Sequence, residues 1–333
     1  MSLQVIDIRL MEARDFEPLL KAESSAWITT LRWDYGPSAR LISACLEDKR
    51  LSGYALLSDR RILGYCFFLY EGEKGLIGDL FVQPNGGSRD HALLLLENVI
   101  ATLKATPGLR RVEAQLPHFA VDELSDYFRE QQFRIFHRRF MALRLDGRPT
   151  RGLQIREAGS SNNESSGLLS GEFFIDKWQR DYDQAAARLL YFAYRGHVDA
   201  MINDQYGSLA GSARLIENIM HLRGCGENLP EASRTVIHRA SRKLAGILAL
   251  TAVRPGTAHI PQVAIANEFQ RRGLGATLME SSFRELDRLG YREVSLTVTD
   301  ENQDAVRFYE RIGFETFRTF GAFVWNRPGS ADL

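Results

Sequence analysis

The chain has 333 residues and zero formal net charge, because 42 Lys and Arg balance 42 Asp and Glu. At about 150 residues per domain, this length favours two domains. The hydrophobic share of 44% and the charged share of 25% are typical of a globular protein and exclude a disordered chain. Zero net charge gives no bulk attraction to nucleic acid or to an anionic membrane, so neither is a predicted partner.

No segment has the pattern of a membrane span or of a secretion signal. The longest apolar stretches, such as residues 244–253, are too short to cross a bilayer. The first twenty residues contain six charged side chains, which excludes the apolar region of a signal peptide. Cys45, Cys66 and Cys225 are widely spaced and form no CxxC pair, which disfavours a disulfide scaffold or a zinc site. We therefore predict a cytoplasmic protein without a metal, either a monomer or a homodimer.

An internal repeat organises the chain. Three pairs of similar positions lie 182, 183 and 181 residues apart: Gly64 with Gly246, Val82 with Ile265, and Phe133 with Phe314. A nearly constant separation predicts two copies of one structural unit. Turn residues at 148–152 predict the junction, so the predicted domains are residues 1–150 and 151–333. The second copy contains about 35 additional residues before its central strands.

Each copy is predicted to run as strand, helical stretch, two or three strands, helix, strand, helix and strand. The first copy opens with a predicted strand at residues 5–10, and the second with one at 153–157. Further predicted strands of the second copy are residues 243–253, 259–265, 294–298 and 317–325. Helical spacing predicts one helix from Leu274 to Gly290 and a second, capped by Asn302, that ends at Gly313. This order predicts an α/β protein with a mixed sheet and helices on both faces.

The segment QRRGLGA at residues 270–276 lies between a predicted strand and a predicted helix. Gly273 and Gly275 allow the backbone to approach a ligand closely and to point several N–H groups into one concavity. The start of the helix adds unpaired amides and the positive end of its dipole, and Arg271 and Arg272 add charge. The segment lacks the P-loop pattern and the third glycine of the dinucleotide fingerprint. It therefore predicts a different diphosphate site, built mainly from backbone.

This segment resembles the Q/R-x-x-G-x-G/A signature of the GNAT acetyltransferases, which bind acetyl-CoA. Residues 263–265 resemble the end of the family's fourth strand, and residues 302–314 resemble its N…A…Y…GF element. The parts occur in the family's order over about residues 153–327. The resemblance implies two tandem GNAT folds, each a mixed, mostly antiparallel sheet flanked by helices. It also implies an N-acetyltransferase that transfers the acetyl group of acetyl-CoA to a primary amine of a small molecule or peptide, by direct attack in a ternary complex.

The resemblance also implies roles for individual residues. The implied coenzyme-binding residues are Val263, Ala264, Ile265, Gln270, Arg271, Arg272, Gly273, Leu274, Gly275, Ala276 and Asn302. Tyr309 matches the family's tyrosine, which protonates the leaving thiolate, and a phenol with a pKa of about 10 keeps its proton at neutral pH. Tyr309 is otherwise a core aromatic, and Asn302 either contacts the coenzyme or only caps its helix. The general base is His259, the loop residue Glu231, or a chain of water molecules.

The first copy departs from the family pattern. Asp90 and Ala92 stand at the positions of the two glycines, so a carboxylate replaces backbone where phosphate would approach. This predicts a degenerate copy that serves either as a scaffold or to shape the acceptor site. The additional residues of the second copy include Trp178, Tyr182, Tyr191, Tyr194 and Tyr206, which either wall an acceptor pocket or form the core of two packed helices. A non-catalytic acyl-CoA-binding or sensing module is the alternative function.

Overall fold

The computed structural model describes residues 3–59, 61–84, 88–145, 171–222 and 225–329. The chain divides into two compact units, the first formed by Met1–Arg138 with Arg318–Leu333 and the second by Arg139–Phe317. The predicted domain boundary after residue 150 and the predicted strand at 153–157 lie outside the described residues. The boundary therefore stays a prediction.

The strands, numbered in chain order, are β1 (Leu3–Asp7), β2 (Ser52–Ser58), β3 (Arg61–Glu71), β4 (Lys74–Val82), β5 (Arg111–Leu116), β6 (Arg134–Arg144), β7 (Phe173–Lys177), β8 (Glu227–Asn228), β9 (Arg234–His238), β10 (Leu244–Arg254), β11 (Thr257–Ile265), β12 (Glu293–Thr299) and β13 (Glu315–Asn326). The α-helices are α1 (Glu17–Ala26), α2 (Gly36–Glu47), α3 (Ser88–Ala105), α4 (Val121–Glu130), α5 (Asp183–Ala193), α6 (Val198–Ile202), α7 (Leu209–Met220), α8 (Leu274–Arg288) and α9 (Gln303–Ile312).

The sheet of the first unit has the order β1-β2-β3-β4-β5-β13. Its strand pairs are antiparallel except for the parallel pair β4–β5. Helix α3 buries Leu96, Val99 and Leu103 at helical spacing against one face. On the other face α1 and its neighbours bury Phe16 and Leu19. Burial of both faces explains why β3 is a nearly continuous apolar run.

The sheet of the second unit has the order β6-β12-β11-β10-β9-β7, with β8 paired to β10. Its pairs β7–β9, β9–β10 and β10–β11 are antiparallel, and β11–β12 is parallel. Helix α8 buries Leu278 and Phe283 on one face, and α5 and α7 bury Leu190 and Ile216 on the other. The predicted class, a mixed and mostly antiparallel sheet flanked by helices, is confirmed.

Most predicted elements of the second copy are present within one or two residues of their predicted bounds. Gly290 and Gly313 end α8 and α9 in the left-handed conformation, with φ of 83° and 99°. The predicted strand at residues 5–10 is wrong beyond Asp7, because Ile8–Leu10 form a 3₁₀ turn. The Asp7 carboxylate accepts a hydrogen bond from the Arg9 amide at 2.9 Å, and this cap stabilises the turn over the strand.

The two units repeat the same strand register at the positions that the sequence repeat relates. Gly64 pairs with Val82 in the first unit, and Gly246 pairs with Ile265 in the second. The parallel pairing of β4 with β5 ends at Ile77, and that of β11 with β12 ends at Ile260. Both β4 and β11 continue for five residues beyond this point. Each unit therefore has an opening at the middle of its sheet, where the ends of two parallel strands are no longer paired.

The last strand of each sequence copy does not lie wholly in the compact unit that the rest of that copy forms. Strand β6 begins in the first unit and continues into the second from Arg139. Residues Gly321–Asn326 of β13 pair with β5 inside the first unit. The sheet of the first unit is therefore completed by the last strand of the chain.

Candidate active site

The turn between β11 and α8 exposes backbone amides. Arg271 and Gly273 both adopt the left-handed conformation, with φ of 58° and 76°. Gly273 is the N-cap of α8, where no side chain caps the helix and no acidic residue occupies the first turn. A Cβ atom at Gly273 would meet no atom within 4 Å, so the space beside the turn is open. The first amides of α8 and its positive dipole end are therefore available to an anion.

Two polar side chains of the turn are engaged with neighbouring residues. The Gln270 amide donates to the carbonyl of Ile265 at 3.3 Å and to the side chain of Asn267 at 3.0 Å, which braces the turn. The Arg272 guanidinium pairs with the Glu172 carboxylate and lies 4.8 Å from the centre of the Phe173 ring. The sequence predicted mobile charge at this arginine, but the ion pair and the ring contact hold it.

Arg271 instead lines a surface groove of about 730 Å³ together with the exposed side of α9. The α9 residues in this groove are Asp304, Arg307, Glu310 and Arg311. The Arg307 guanidinium lies 2.5 Å from the Asp304 carboxylate. The groove begins at the turn, and three guanidinium groups against two carboxylates make its lining net positive.

The end of β11 borders the opening in the sheet. Val263, Ala264 and Ile265 pair on one side with β10. On the other side, in the described part of the chain, pairing with β12 has already ended at Ile260. That edge of β11 therefore has no strand neighbour beyond Ile260 among the described residues, and the carbonyls of Val263 and Ile265 accept from the side-chain amides of Gln262 and Gln270.

Helix α9 carries Tyr309, and Asn302 is the N-cap residue of the same helix. Tyr309 is 8% exposed and its ring contacts Phe308 and Phe314. Burial raises the pKa of Tyr309, and the charge of Asp199 raises it further. Asn302 caps α9, because its Oδ1 accepts from the Ala305 amide at 3.2 Å. The predicted capping role of Asn302 is thus present in the structure.

His259 lies in the paired part of β11, opposite Ser295 on β12. It is 6% exposed, and its Nδ1 is 2.9 Å from the Ser295 hydroxyl oxygen. Val263–Ile265 lie beyond the end of that pairing. His259 is therefore a buried, hydrogen-bonded residue, and its assignment as a base stays a prediction.

Two of the predicted aromatic residues form part of a polar cluster at the opening. Tyr194 and Tyr206 stack with ring centres 4.0 Å apart. The Tyr206 hydroxyl donates to Gln262 Oε1 at 2.8 Å, and Gln262 Nε2 donates to the Tyr194 hydroxyl at 2.7 Å. The core between α5 and α7 is mainly aliphatic, with Leu190 and Ile216 buried. These two tyrosines therefore lie beside Gln262, beyond the end of the β11–β12 pairing, and Tyr194 also packs against the core between α5 and α7.

The sequence did not predict the rest of this cluster. Asp199 on α6 accepts a hydrogen bond from the Thr299 hydroxyl at the end of β12. His197 Nδ1 lies 3.5 Å from Asp199, and His197 Nε2 lies 3.1 Å from Asn302 Nδ2. The available sequence signal was Gln262, a polar residue in the otherwise apolar second half of β11, residues 260–265.

A metal site and a membrane span are not found in the parts of the chain that the structure describes. No group of three or more His, Cys, Asp or Glu side chains could hold a metal ion there. No helix among those residues has the length and apolar composition needed to cross a bilayer.

Residues 204–314 match the acetyltransferase (GNAT) family. The alanine N-acetyltransferase of ribosomal protein bS18 from Salmonella typhimurium is 38% identical over 66 residues, which cover 20% of this chain and 45% of that protein. An uncharacterized N-acetyltransferase from Methanocaldococcus jannaschii is 36% identical over 58 residues, which cover 17% of this chain and 26% of that protein. The chain therefore matches less than half the length of these two relatives.

Solved structures extend the similarity to nearly the whole chain. A tandem GNAT protein from the clavulanic acid biosynthesis pathway has a TM-score of 0.61 at 16% identity, covering 99% of this chain and 100% of that chain. A GCN5-related N-acetyltransferase from Sphaerobacter thermophilus has a TM-score of 0.65 at 17% identity, covering 99% and 98%. Residues 204–314 are therefore similar to the GNAT acetyltransferase family, and the chain has the fold of the tandem GNAT proteins.

Proposed function

We propose that the second unit is an acetyl-CoA-dependent N-acetyltransferase that acts on a primary amine of a small molecule or peptide. The observation that carries the proposal is the uncapped start of α8 at Gly273, which lies at the end of the strand that borders the opening in the sheet. Uncapped amides at the start of a long helix suit a diphosphate. Tyr309 adds a protonated phenol on the neighbouring helix.

The residues present fit the coenzyme along its length. The amides of Gly273–Ala276 and the Arg271 side chain would hold its diphosphate. The free edge of Val263–Ile265 would pair with its amide-containing arm, and Asn302 lies at the start of α9 on the other side. Gln270 and Arg272 support the turn through their neighbours. When bound, acetyl-CoA would supply an activated acetyl thioester.

The chain's residues would then guide the transfer. A backbone N–H of Val263–Ile265 would donate to the acetyl oxygen as negative charge develops there. The neutral acceptor nitrogen forms a bond to the acetyl carbon, and the carbon–sulfur bond breaks. Tyr309 gives its proton to the leaving sulfur and regains one from solvent, while the acetylated nitrogen loses a proton. The raised pKa of Tyr309 keeps it in the donating form at neutral pH.

Titration with acetyl-CoA and a thiol-release assay with a panel of amines test the proposal. We expect coenzyme binding in the wild type and in Tyr309→Phe, with turnover slowed at least about 100-fold in the variant, since it lacks the proton donor. Equal turnover would refute the role of Tyr309. Binding without turnover across the panel would favour the non-catalytic sensing module. His259→Gln tests the predicted base, which requires a similar loss in kcat.

A further inference from the structure

In the described part of the chain, the Asp199 carboxylate is held in place with only a histidine as its basic neighbour. The buried Thr299 hydroxyl donates to it, and His197 Nδ1 lies 3.5 Å from its other oxygen. Among the residues that the structure describes, His197 carries the only basic nitrogen within 4 Å of this carboxylate. Its side chain is 19% exposed, so a ligand can reach it. A partly buried carboxylate without a Lys or Arg partner attracts a cation.

The aromatic pair Tyr194 and Tyr206 forms the wall next to this carboxylate. The Tyr194 ring centre is 5.0 Å from that of His197, the residue that contacts Asp199. The amide of Gln262 fixes both phenol groups through hydrogen bonds of 2.7 and 2.8 Å. These rings are therefore held before any ligand binds, and aromatic faces also attract cations.

Asp199 is also close enough to the proposed proton donor for its charge to act on Tyr309. His197 is hydrogen-bonded to Asn302, the N-cap residue of the helix that carries Tyr309 two turns later. The charge of Asp199 acts on the pKa of both Tyr309 and Tyr194, raising each beyond the effect of burial. The carboxylate, the tyrosine pair and the phenol therefore belong to one site.

Resting on the proposed function, we propose that Asp199 recognises the acceptor by its positive charge, with Tyr194 and Tyr206 as the adjoining wall. The acceptor is then a cationic amine without a nearby carboxylate, such as a diamine. A second cationic group on the acceptor strengthens its attraction to Asp199, and a carboxylate on the acceptor is repelled. Asp199 thereby selects the substrate and leaves proton donation to Tyr309.

Three amines of matched length test this charge preference: 1,5-diaminopentane, n-pentylamine and 5-aminopentanoate. Their KM values are measured with saturating acetyl-CoA in the wild type and in Asp199→Asn. We expect the wild type to have its lowest KM for the diamine and its highest for 5-aminopentanoate. In Asp199→Asn the KM for the diamine rises at least about tenfold, and the preference over 5-aminopentanoate disappears.

Two further variants distinguish a loss of acceptor recognition from a loss of folding or of coenzyme binding. Asp181→Asn removes an exposed carboxylate from the same segment of the second unit and should leave all three KM values unchanged. Thr299→Val removes the hydroxyl that orients Asp199 and should raise the KM for the diamine by a smaller factor. Thermal unfolding and acetyl-CoA titration of each variant verify that the fold and the coenzyme site are intact.

A readout independent of turnover is the ionisation of Tyr309. The Tyr309 pKa is obtained as the difference between the ultraviolet titrations of two proteins that differ only by Tyr309→Phe. It should be lower when both proteins also carry Asp199→Asn than when both keep Asp199. A wild type that accepts the three amines equally, accepts none of them, or prefers 5-aminopentanoate would overturn the assignment. Unchanged KM values in Asp199→Asn would do the same. Absence of acetyl-CoA binding in the wild type would instead defeat the proposed function.

Discussion

Glu23 is a carboxyl side chain of the first unit with 0% exposure. Its Oε2 accepts a hydrogen bond from the Tyr65 hydroxyl at 2.8 Å. Asp79, which accepts from the Tyr35 hydroxyl at 2.6 Å, lies close enough for its charge to act on Glu23. Burial first, and Asp79 second, raise the pKa of Glu23 well above its ordinary value. The folded first unit therefore holds a proton on Glu23 that the unfolded chain releases at lower pH.

This proton makes stability depend on pH. A raised carboxyl pKa gives stability that is complete below the unfolded value, near 4.5, and is lost as pH rises toward the folded value. We expect Glu23→Gln, which cannot ionise, to gain stability relative to the wild type as pH rises from 5 to 8, by up to about 1.4 kcal/mol per pH unit. Urea denaturation at several pH values measures this difference.

The exposed carboxyl of Glu47 provides the matched control. Glu47→Gln should leave the pH dependence of the wild type unchanged, because its side chain is exposed at the end of α2. A Glu23→Gln variant whose stability runs parallel to the wild type across this pH range would show that Glu23 is ionised in the folded protein.

Among the helices, α8 has a glycine in the left-handed conformation at each of its two ends. Gly273 before the helix has φ of 76°, and Gly290 after it has φ of 83°. A Cβ atom would meet no atom within 4 Å at either position. A side chain therefore costs about 1–2 kcal/mol of backbone strain at both ends. Only the first end lies at the proposed diphosphate site.

This symmetry gives a matched pair of variants. We expect Gly273→Ala and Gly290→Ala to lose similar stability, about 1 kcal/mol each. Gly273→Ala should also weaken acetyl-CoA binding at least about tenfold, because its strain is relieved by moving the amides that would hold the diphosphate. Calorimetric titration and thermal unfolding measure the two effects. Equal coenzyme affinity in the two variants would contradict the location of the diphosphate site.

The cap of α9 gives a further prediction. Asn302→Ala should cost about 0.5–2 kcal/mol of unfolding free energy, because the Ala305 amide loses its acceptor. Asn302→Asp keeps a capping oxygen and should lose far less. Chemical denaturation compares the two, and equal losses would show that the bond to His197 stabilises the protein more than the cap does.

At the scale of the whole molecule, the last strand of the chain completes the sheet of the first unit. Residues Arg111–Leu116 of β5 pair with Gly321–Asn326 of β13 in antiparallel register. Phe323 on this part of β13 stacks on Phe128 with ring centres 3.8 Å apart. Removal of β13 would therefore open the edge of β5 and remove a side chain from the core of the first unit.

Two truncations test this dependence. A chain that ends at Phe314 lacks β13 and should show faster amide exchange in β5 and a lower melting temperature of the first unit. A chain that ends at Gly329 keeps β13 and should match the full chain. Hydrogen exchange measured by mass spectrometry resolves these segments. Slow amide exchange in β5 of the chain that ends at Phe314 would show that the first unit is stable without its last strand.

The elements and the turn of the candidate site could be predicted from local chemistry along the chain. Helix caps, terminal glycines and apolar spacing act over a few residues, so Asn302, Gly273 and Gly313 were predictable from local chemistry. The motif around Tyr309 predicted the match of residues 204–314 to the GNAT family for the same reason. The constant spacing predicted two copies of one unit, and the strand register repeats between them.

Contacts between residues far apart in the chain could be found only from the folded structure. Asp199 and Thr299 are 100 residues apart, and His197 and Asn302 are 105 apart. Such contacts depend on how helices pack on the sheet, and no local pattern encodes them. The pairing of β13 with β5 joins residues about 200 positions apart in the same way. The turn proposed to hold the diphosphate is therefore a property of local sequence, whereas the cluster proposed to recognise the acceptor and the composition of each unit arise from the assembled fold.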